Sequence, residues 1–327
     1  MKKLIDTFNN IWKIKELRNR ILYTIAILAI FRFGCFVVLP GVNASALEAA
    51  AASRGATDLL GLINTFTGGA FNQAAVFALG IMPYITASII VQLLGFAVPY
   101  FQRLQQKEGE SGRKKIAQIT RFLTLLITVV QGGGYLTLIL NTPGAVDPSL
   151  NKTIFWFSNI IILSTGTIFA MWLGERITDK GIGNGISLLI TIGIIATLPI
   201  AFIAELQKQL QSNVILFVFE IAVLFFTVLV TVFFVQGVRK IPIQFAKRMI
   251  GRGANQMPVT GARDYIPVKV NAAGVMPIIF AQALMFIPAQ IAQFIAGTSG
   301  NEVSGFLRSL SDFTSGPYNV IYFLLVV

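Results

Sequence analysis

The 327 residues are 55% hydrophobic and 12% charged, about half the charge of an ordinary soluble domain, and they carry a formal net charge of +12. That balance argues against a soluble globular domain and against a nucleic-acid binder that is basic throughout; it points to an integral membrane protein whose cations sit in loops. With no histidine and one cysteine, Cys35, the chain has no internal disulfide and lacks the commonest proton shuttle and metal ligand.

Residues 1–20 are basic and amphipathic, with Leu4, Ile5, Phe8, Ile11, Trp12 and Leu17 at helical spacing. Together with the following apolar run and the small residues of "NASALEA", they have the ingredients of a signal peptide. The run, however, outlasts the usual h-region of about 7–15 residues. The segment reads instead as an interfacial cytoplasmic helix leading into a first span over roughly 21–40. Next comes "GLINTFTGGAFNQAAVFALGIMPYITASII", residues 61–90. Its first half is too short and too polar to cross a bilayer and is closed by Gly68 and Gly69. Its second half opens a span over 74–100. Further runs of the roughly 20 apolar residues that a bilayer core demands cover 117–140, 153–173, 185–203, 213–236 and 272–296. An eighth begins near Tyr318 and reaches Val327 too soon to cross, so the chain is expected to be part of something longer.

The distribution of Lys and Arg sets the orientation. With the N-terminus cytoplasmic, the inner segments 1–20, 101–121, 174–184 and 237–271 hold 21 of the 26 cations, and the outer side holds Arg54, Lys152, Lys208 and Arg308. Two charges fall within spans, Arg32 and Glu220. Their spans share an outer end, with each charge about 10–15 Å below it by the helix rise. The two either pair or snorkel separately to the interface.

The second span contains "GIMPYIT" and the seventh "GVMPIIF", each reading Gly, a β-branched residue, Met, Pro, and then Ile two residues on. The two spans run in opposite directions five spans apart, which suggests two inverted five-span halves. Matching Gly/Pro-interrupted segments in two halves point to a working site. Pro83 and Pro277 are therefore expected to kink their helices there, whether for packing or for function.

Catalytic machinery is not in view. "GESGRKK" lacks phosphate-loop spacing, "GIGNGIS" does not fit a dinucleotide fingerprint, and no carboxylate pair lies in the membrane. No catalytic residue, metal site or cofactor is expected. Isoleucines near the two interruptions suit a dry constriction better than an ion site.

"FALGIMPYITASIIVQLL", "KEGESGRKK", "MWLGERITDKGIGNGIS" and "VKVNAAGVMPIIFAQAL" together closely resemble the SecY family, the pore subunits of bacterial protein-conducting channels. The resemblance runs from the first span to Val327. It implies an all-α, polytopic membrane helix bundle of ten spans in two inverted halves hinged like a clamshell, of which seven spans and the start of an eighth are present. The N-terminal half would be 21–203 and the incomplete C-terminal half 204–327. The family passes unfolded polypeptides across the bacterial cytoplasmic membrane and releases apolar segments sideways into lipid, without catalysis of its own. By that resemblance, 58–71 is the plug, with Leu60, Ile63, Phe66 and the hinge Gly68–Gly69. Ile81, Ile85, Ile186, Ile190 and Ile279 form the pore ring. Spans two, three, seven and eight line a lateral gate, with Pro83, Ser88, Gln92 and Pro277 at its edges. The basic loop 237–271, with Arg239, Lys240, Lys247, Arg248 and Arg252, docks the ribosome through its RNA or the SecA motor ATPase. SecE and SecG are the implied small partners, alongside the translocating polypeptide and membrane lipids. A secondary transporter for a small solute is the alternative, since it too would have inverted repeats and broken helices.

Overall fold

The computed structural model describes residues 12–54, 59–106, 108–212, 214–244, 248–250, 257–259, 263–270, 281, 284–285, 309 and 315–326. Among the described residues the helices are, in chain order, α1 (Lys15–Gly34), α2 (Ala44–Arg54), α3 (Leu59–Phe66), α4 (Met82–Ala97), α5 (Pro99–Gln106), α6 (Gly109–Asn141), α7 (Lys152–Lys180), α8 (Gly185–Ser212), α9 (Val214–Gln236) and α10 (Gly316–Val326). Among the described residues between α9 and α10 lie four short strands, β1 (Val238–Gln244), β2 (Arg248–Ile250), β3 (Met257–Val259) and β4 (Arg263–Lys269). The expected all-helical bundle thus carries two small antiparallel ribbons where the sequence reading leaves a loop. The residues group into two compact units, one of Met1–Ala201 with Ile278–Val327 and one of Phe202–Pro277.

Four described helices are long and apolar enough to cross a membrane: α6, α7, α8 and α9. The pair α4–α5, bent by 102°, makes a fifth if it is counted as one span. In α9 none of the most apolar stretch is buried, and Phe219, Phe225 and Phe233 all face outward. Such a surface suits lipid, where every backbone group must be satisfied inside the helix. The expected first span, 21–40, is shifted: α1 starts in the basic segment at Lys15, where Arg20 pairs with Glu16 at 2.9 Å, and ends at Gly34.

The second span departs most from expectation. Residues 74–81 are not helical; α4 begins at Met82 with Pro83 in its first turn. At that position proline forfeits no intrahelical hydrogen bond, so Pro83 starts a helix rather than kinking one. The outer stretch before it is tied to the end of the first span instead. The Leu39 amide donates to the Ala74 carbonyl and the Val76 amide to the Val37 carbonyl, each at 2.8 Å. Ala74 adopts a left-handed φ of 47° to make this turn.

The core of the first unit is continuous with this stretch. Phe77 stacks on Phe31 of α1, with ring centroids 5.4 Å apart, and on Phe169 of α7 at 6.1 Å. Gly166 of α7 lets the Val76 backbone approach so closely that an added Cβ would collide with the Val76 carbonyl oxygen. Gly132 of α6, by contrast, would meet ordinary contacts at 3.6 Å. Gly166→Ala should therefore destabilise the assembled protein by about 1–3 kcal/mol. Gly132→Ala should be neutral or mildly stabilising, because glycine costs about 0.5–1 kcal/mol within a helix. Thermal unfolding in detergent, read on both variants, checks the contrast.

The long α6 buries a polar stripe, Thr120, Thr124, Thr128, Gln131 and Tyr135. The threonines remain satisfied because each donates its hydroxyl to the carbonyl four residues back. Tyr135 reaches further, to the residues that follow α3.

Candidate pore, plug and gate

Helix α3 is two turns long and falls within the expected plug, 58–71. It ends by local chemistry that the paired glycines make possible. The Gly69 amide donates to the Asn64 carbonyl at 2.9 Å and the Gly68 amide to the Thr65 carbonyl at 3.2 Å. With Gly68 at φ 65° and Gly69 at φ 93°, this is a Schellman closure, which a residue bearing a Cβ resists. Side chains then fold the chain back: the Asn64 carboxamide oxygen accepts from the Asn72 amide at 3.0 Å, and the Tyr135 hydroxyl donates to the Phe71 carbonyl at 2.6 Å. Ile63 is buried in a cluster with Leu39, Leu47, Phe71 and Leu79, while Phe66 is half-buried. The side chain of Leu60 lies outside the described residues.

The end of this helix is held from outside as well. Arg32, in the last turn of α1, donates Nη1 to the Gly68 carbonyl at 3.0 Å, and its guanidinium lies over the Phe36 ring, 5.3 Å from the centroid. From the sequence, this intramembrane charge is expected either to pair with Glu220 or to snorkel to the interface; a backbone carbonyl receives it instead. Glu220 is engaged within its own unit, accepting from Gln209 Nε2 at 3.4 Å. The Cys35 thiol faces the Thr67 carbonyl 3.9 Å away, and Gly193 of α8 lies against the backbone of Phe66 and Gly68. No local pattern marks Cys35 or Gly193, because both act across long sequence separations.

Three expected ring residues gather in one apolar cluster of the first unit. Ile81 is buried just before α4, Ile85 follows one turn later, and Ile186 of α8 joins them beside Phe77 and Leu189. Ile190 is half-buried on α8 and lies outside that cluster; Ile279 is outside the described residues. Of the gate positions, Pro83 is buried, and Gln92 donates to the Ser88 hydroxyl at 3.4 Å, one turn apart on α4. Pro277 is outside the described residues.

Within the second unit, β1 and β4 pair from Val238↔Lys269 to Gln244↔Arg263. Strand alternation puts Lys240, Lys269 and Tyr265 on one face, with the Lys240 ammonium 4.7 Å from the Tyr265 ring centroid. Arg239 falls on the other face with Ile241, Ile266 and Val268. The expected docking residues Arg239 and Lys240 are thus both exposed but not side by side. Arg248 contributes backbone to β2, and Lys247 and Arg252 lie outside the described residues.

A SecY family model matches residues 75–327. A protein translocase subunit SecY of Streptomyces galbus is 42% identical over 335 residues, covering 99% of this chain and 75% of that protein. The chain belongs to the SecY family. The Escherichia coli K12 SecY subunit is 43% identical over 288 residues, covering 87% of this chain and 64% of its own length. The fold is shared with solved SecY and Sec61 channels. A protein-conducting channel superposes with a TM-score of 0.64 at 18% identity, covering 94% of this chain and 69% of that one. Sec61 from a canine ribosome–channel complex gives 0.62 at 18% identity over 94% of this chain and 69% of that one. A SecY structure in which the plug domain stabilises the closed channel and maintains a membrane seal gives 0.60 at 19% identity, over 94% and 68%.

Proposed function

We propose that this chain acts as the central subunit of a Sec protein-conducting channel. It moves unfolded polypeptides across the bacterial cytoplasmic membrane and releases apolar segments laterally into lipid, with its N-terminus in the cytoplasm. The observation that carries the reading is the near-complete alignment of the chain with translocase subunits at 42% identity. The plug is α3 with its glycine hinge. The ring is Ile81, Ile85, Ile186, Ile190 and Ile279, and the lateral gate uses Pro83, Ser88, Gln92 and Pro277. Aliphatic side chains suit a pore that must close around any sequence and exclude water when empty. SecE and SecG complete the complex, and SecA or the ribosome supplies the energy. Arg239, Lys240, Lys247, Arg248 and Arg252 offer cations to ribosomal phosphates or to the motor. Ribosome docking is supported by the fold shared with channels seen on ribosomes.

Site-specific photocrosslinking from Ile85, with a secretory protein stalled in transit, tests the reading. A crosslink to the stalled chain is expected, and none from a lipid-facing probe at Phe96 on the same helix, which is exposed. No crosslink from Ile85 in an engaged complex would make it a packing residue and overturn the polypeptide pore.

A further inference from the structure

Arg32 sits where a cation is costly, inside the apolar run of the first span. It is half-buried, and its contacts are specific: the Gly68 carbonyl at 3.0 Å and the Phe36 ring. Gly68 lies two residues past Phe66, the last residue of α3, beside the terminus where helix carbonyls lack internal partners and the helix dipole is negative. Arg32 therefore brings a positive charge to that terminus and a hydrogen bond to the carbonyl of the turn that closes it. One turn along the same span, Cys35 faces the neighbouring Thr67 carbonyl. Close by, the bare backbone of Gly193 forms a seat: a Cβ there would lie 2.5 Å from the Phe66 carbonyl oxygen and 3.4 Å from the Gly68 nitrogen. Gly68 is equally constrained, since a Cβ on it would collide with Arg32 Nη1.

We propose that Arg32 is the latch of the plug and Gly193 its seat. This rests on reading α3 as the plug. The guanidinium holds the closed state by capping the carbonyl at the hinge, and opening requires that bond to break as the chain swings about Gly68–Gly69. Arg32 is then a positioning residue that sets how strongly a signal sequence must act before the channel opens. The bond is charge-assisted, so its loss weighs more than that of a neutral contact.

The test is resting ion conductance of the assembled channel, with its partner subunits, in planar bilayers. Arg32→Ala should raise it about tenfold, the change expected from losing a hydrogen bond to a charged group. Arg32→Lys should raise it less, because a lysine keeps the charge but loses the planar fork. Gly193→Ala, which leaves the arginine in place and pushes on the Phe66 carbonyl, should also raise it, so the proposal is testable even if Arg32→Ala fails to assemble. In a channel lacking Leu60–Thr67, where no helix is left for a bond at Gly68 to hold, Arg32→Ala should add nothing. If plug deletion raises conductance while Arg32→Ala and Gly193→Ala leave it at the wild-type level, the latch is wrong and the plug stands. If plug deletion itself changes nothing, the plug reading fails and takes the latch with it. An Arg32→Ala effect that adds to the deletion would put the arginine's role elsewhere and overturn the proposal.

Discussion

Removing Leu60–Thr67 should give an assembled channel that leaks at rest and exports substrates with weak signal sequences. The contacts that hold this segment are few. Ile63 is buried, which contributes about 2 kcal/mol. Losing the helix also stops the Gly68 carbonyl from being presented to Arg32, a hydrogen bond worth about 1.5 kcal/mol more. Two turns of helix add little by themselves, since isolated helices of that length are unstable. The closed state is therefore favoured over an opened one by a margin that a signal sequence can supply through its own burial in lipid. Without the segment that margin is gone, and the resting open population should rise a few hundredfold, the factor that about 3.5 kcal/mol corresponds to. Bilayer conductance measures the leak, and export of a reporter with a defective signal sequence measures the lost stringency. Strict selectivity in an assembled deletion channel would remove α3 from the role of plug.

The spans that were plain in the sequence are those with no alternative in lipid. The apolar run at 213–236 is α9 almost residue for residue, and the runs at 117–140 and 153–173 fall inside the longer helices α6 and α7. Those helices continue into polar residues because a helix already nucleated propagates easily. The stub at 61–67 was equally legible, because Gly68 and Gly69 mark a helix end by their own conformational freedom. Residues 74–81 were misread as helix because they are as apolar as a span. What prevents a helix there is distant, the pairing of Val37 and Leu39 with Val76 and Ala74 and the packing of Val76 on Gly166. The partner of Arg32 was missed for a different reason. A search for opposite charge cannot find a backbone carbonyl, which every residue carries. The ribbon β1–β4 was obscured by Pro242 and Pro267, residues that weaken a strand signal but are tolerated where both strands are edges. The family motifs supplied what periodicity could not: which isoleucines, among many, to propose for the ring.

Replacing Ile85 and Ile279 with glycine should open the resting seal. Ile85, at the end of the first turn of α4, packs against the cluster that also holds Ile81 and Ile186, so three of the proposed ring positions converge on one apolar centre. A constriction lined by such side chains stays dry because water gains nothing by entering it. Deleting two of them both widens the opening and exposes backbone that water can solvate. The expected result is a resting conductance roughly tenfold or more above wild type, with translocation retained. Glycine also weakens α4, by about 1 kcal/mol relative to alanine. Ile85→Ala, which spares the helix, should leak in the same direction but less, and Ile85→Leu should stay sealed. That ordering distinguishes a gasket from a packing residue: a packing role would show as lower thermal stability for Ile85→Ala with the resting conductance unchanged. A solute transporter would respond differently again, since loss of an aliphatic wall would alter substrate affinity without creating an ion leak.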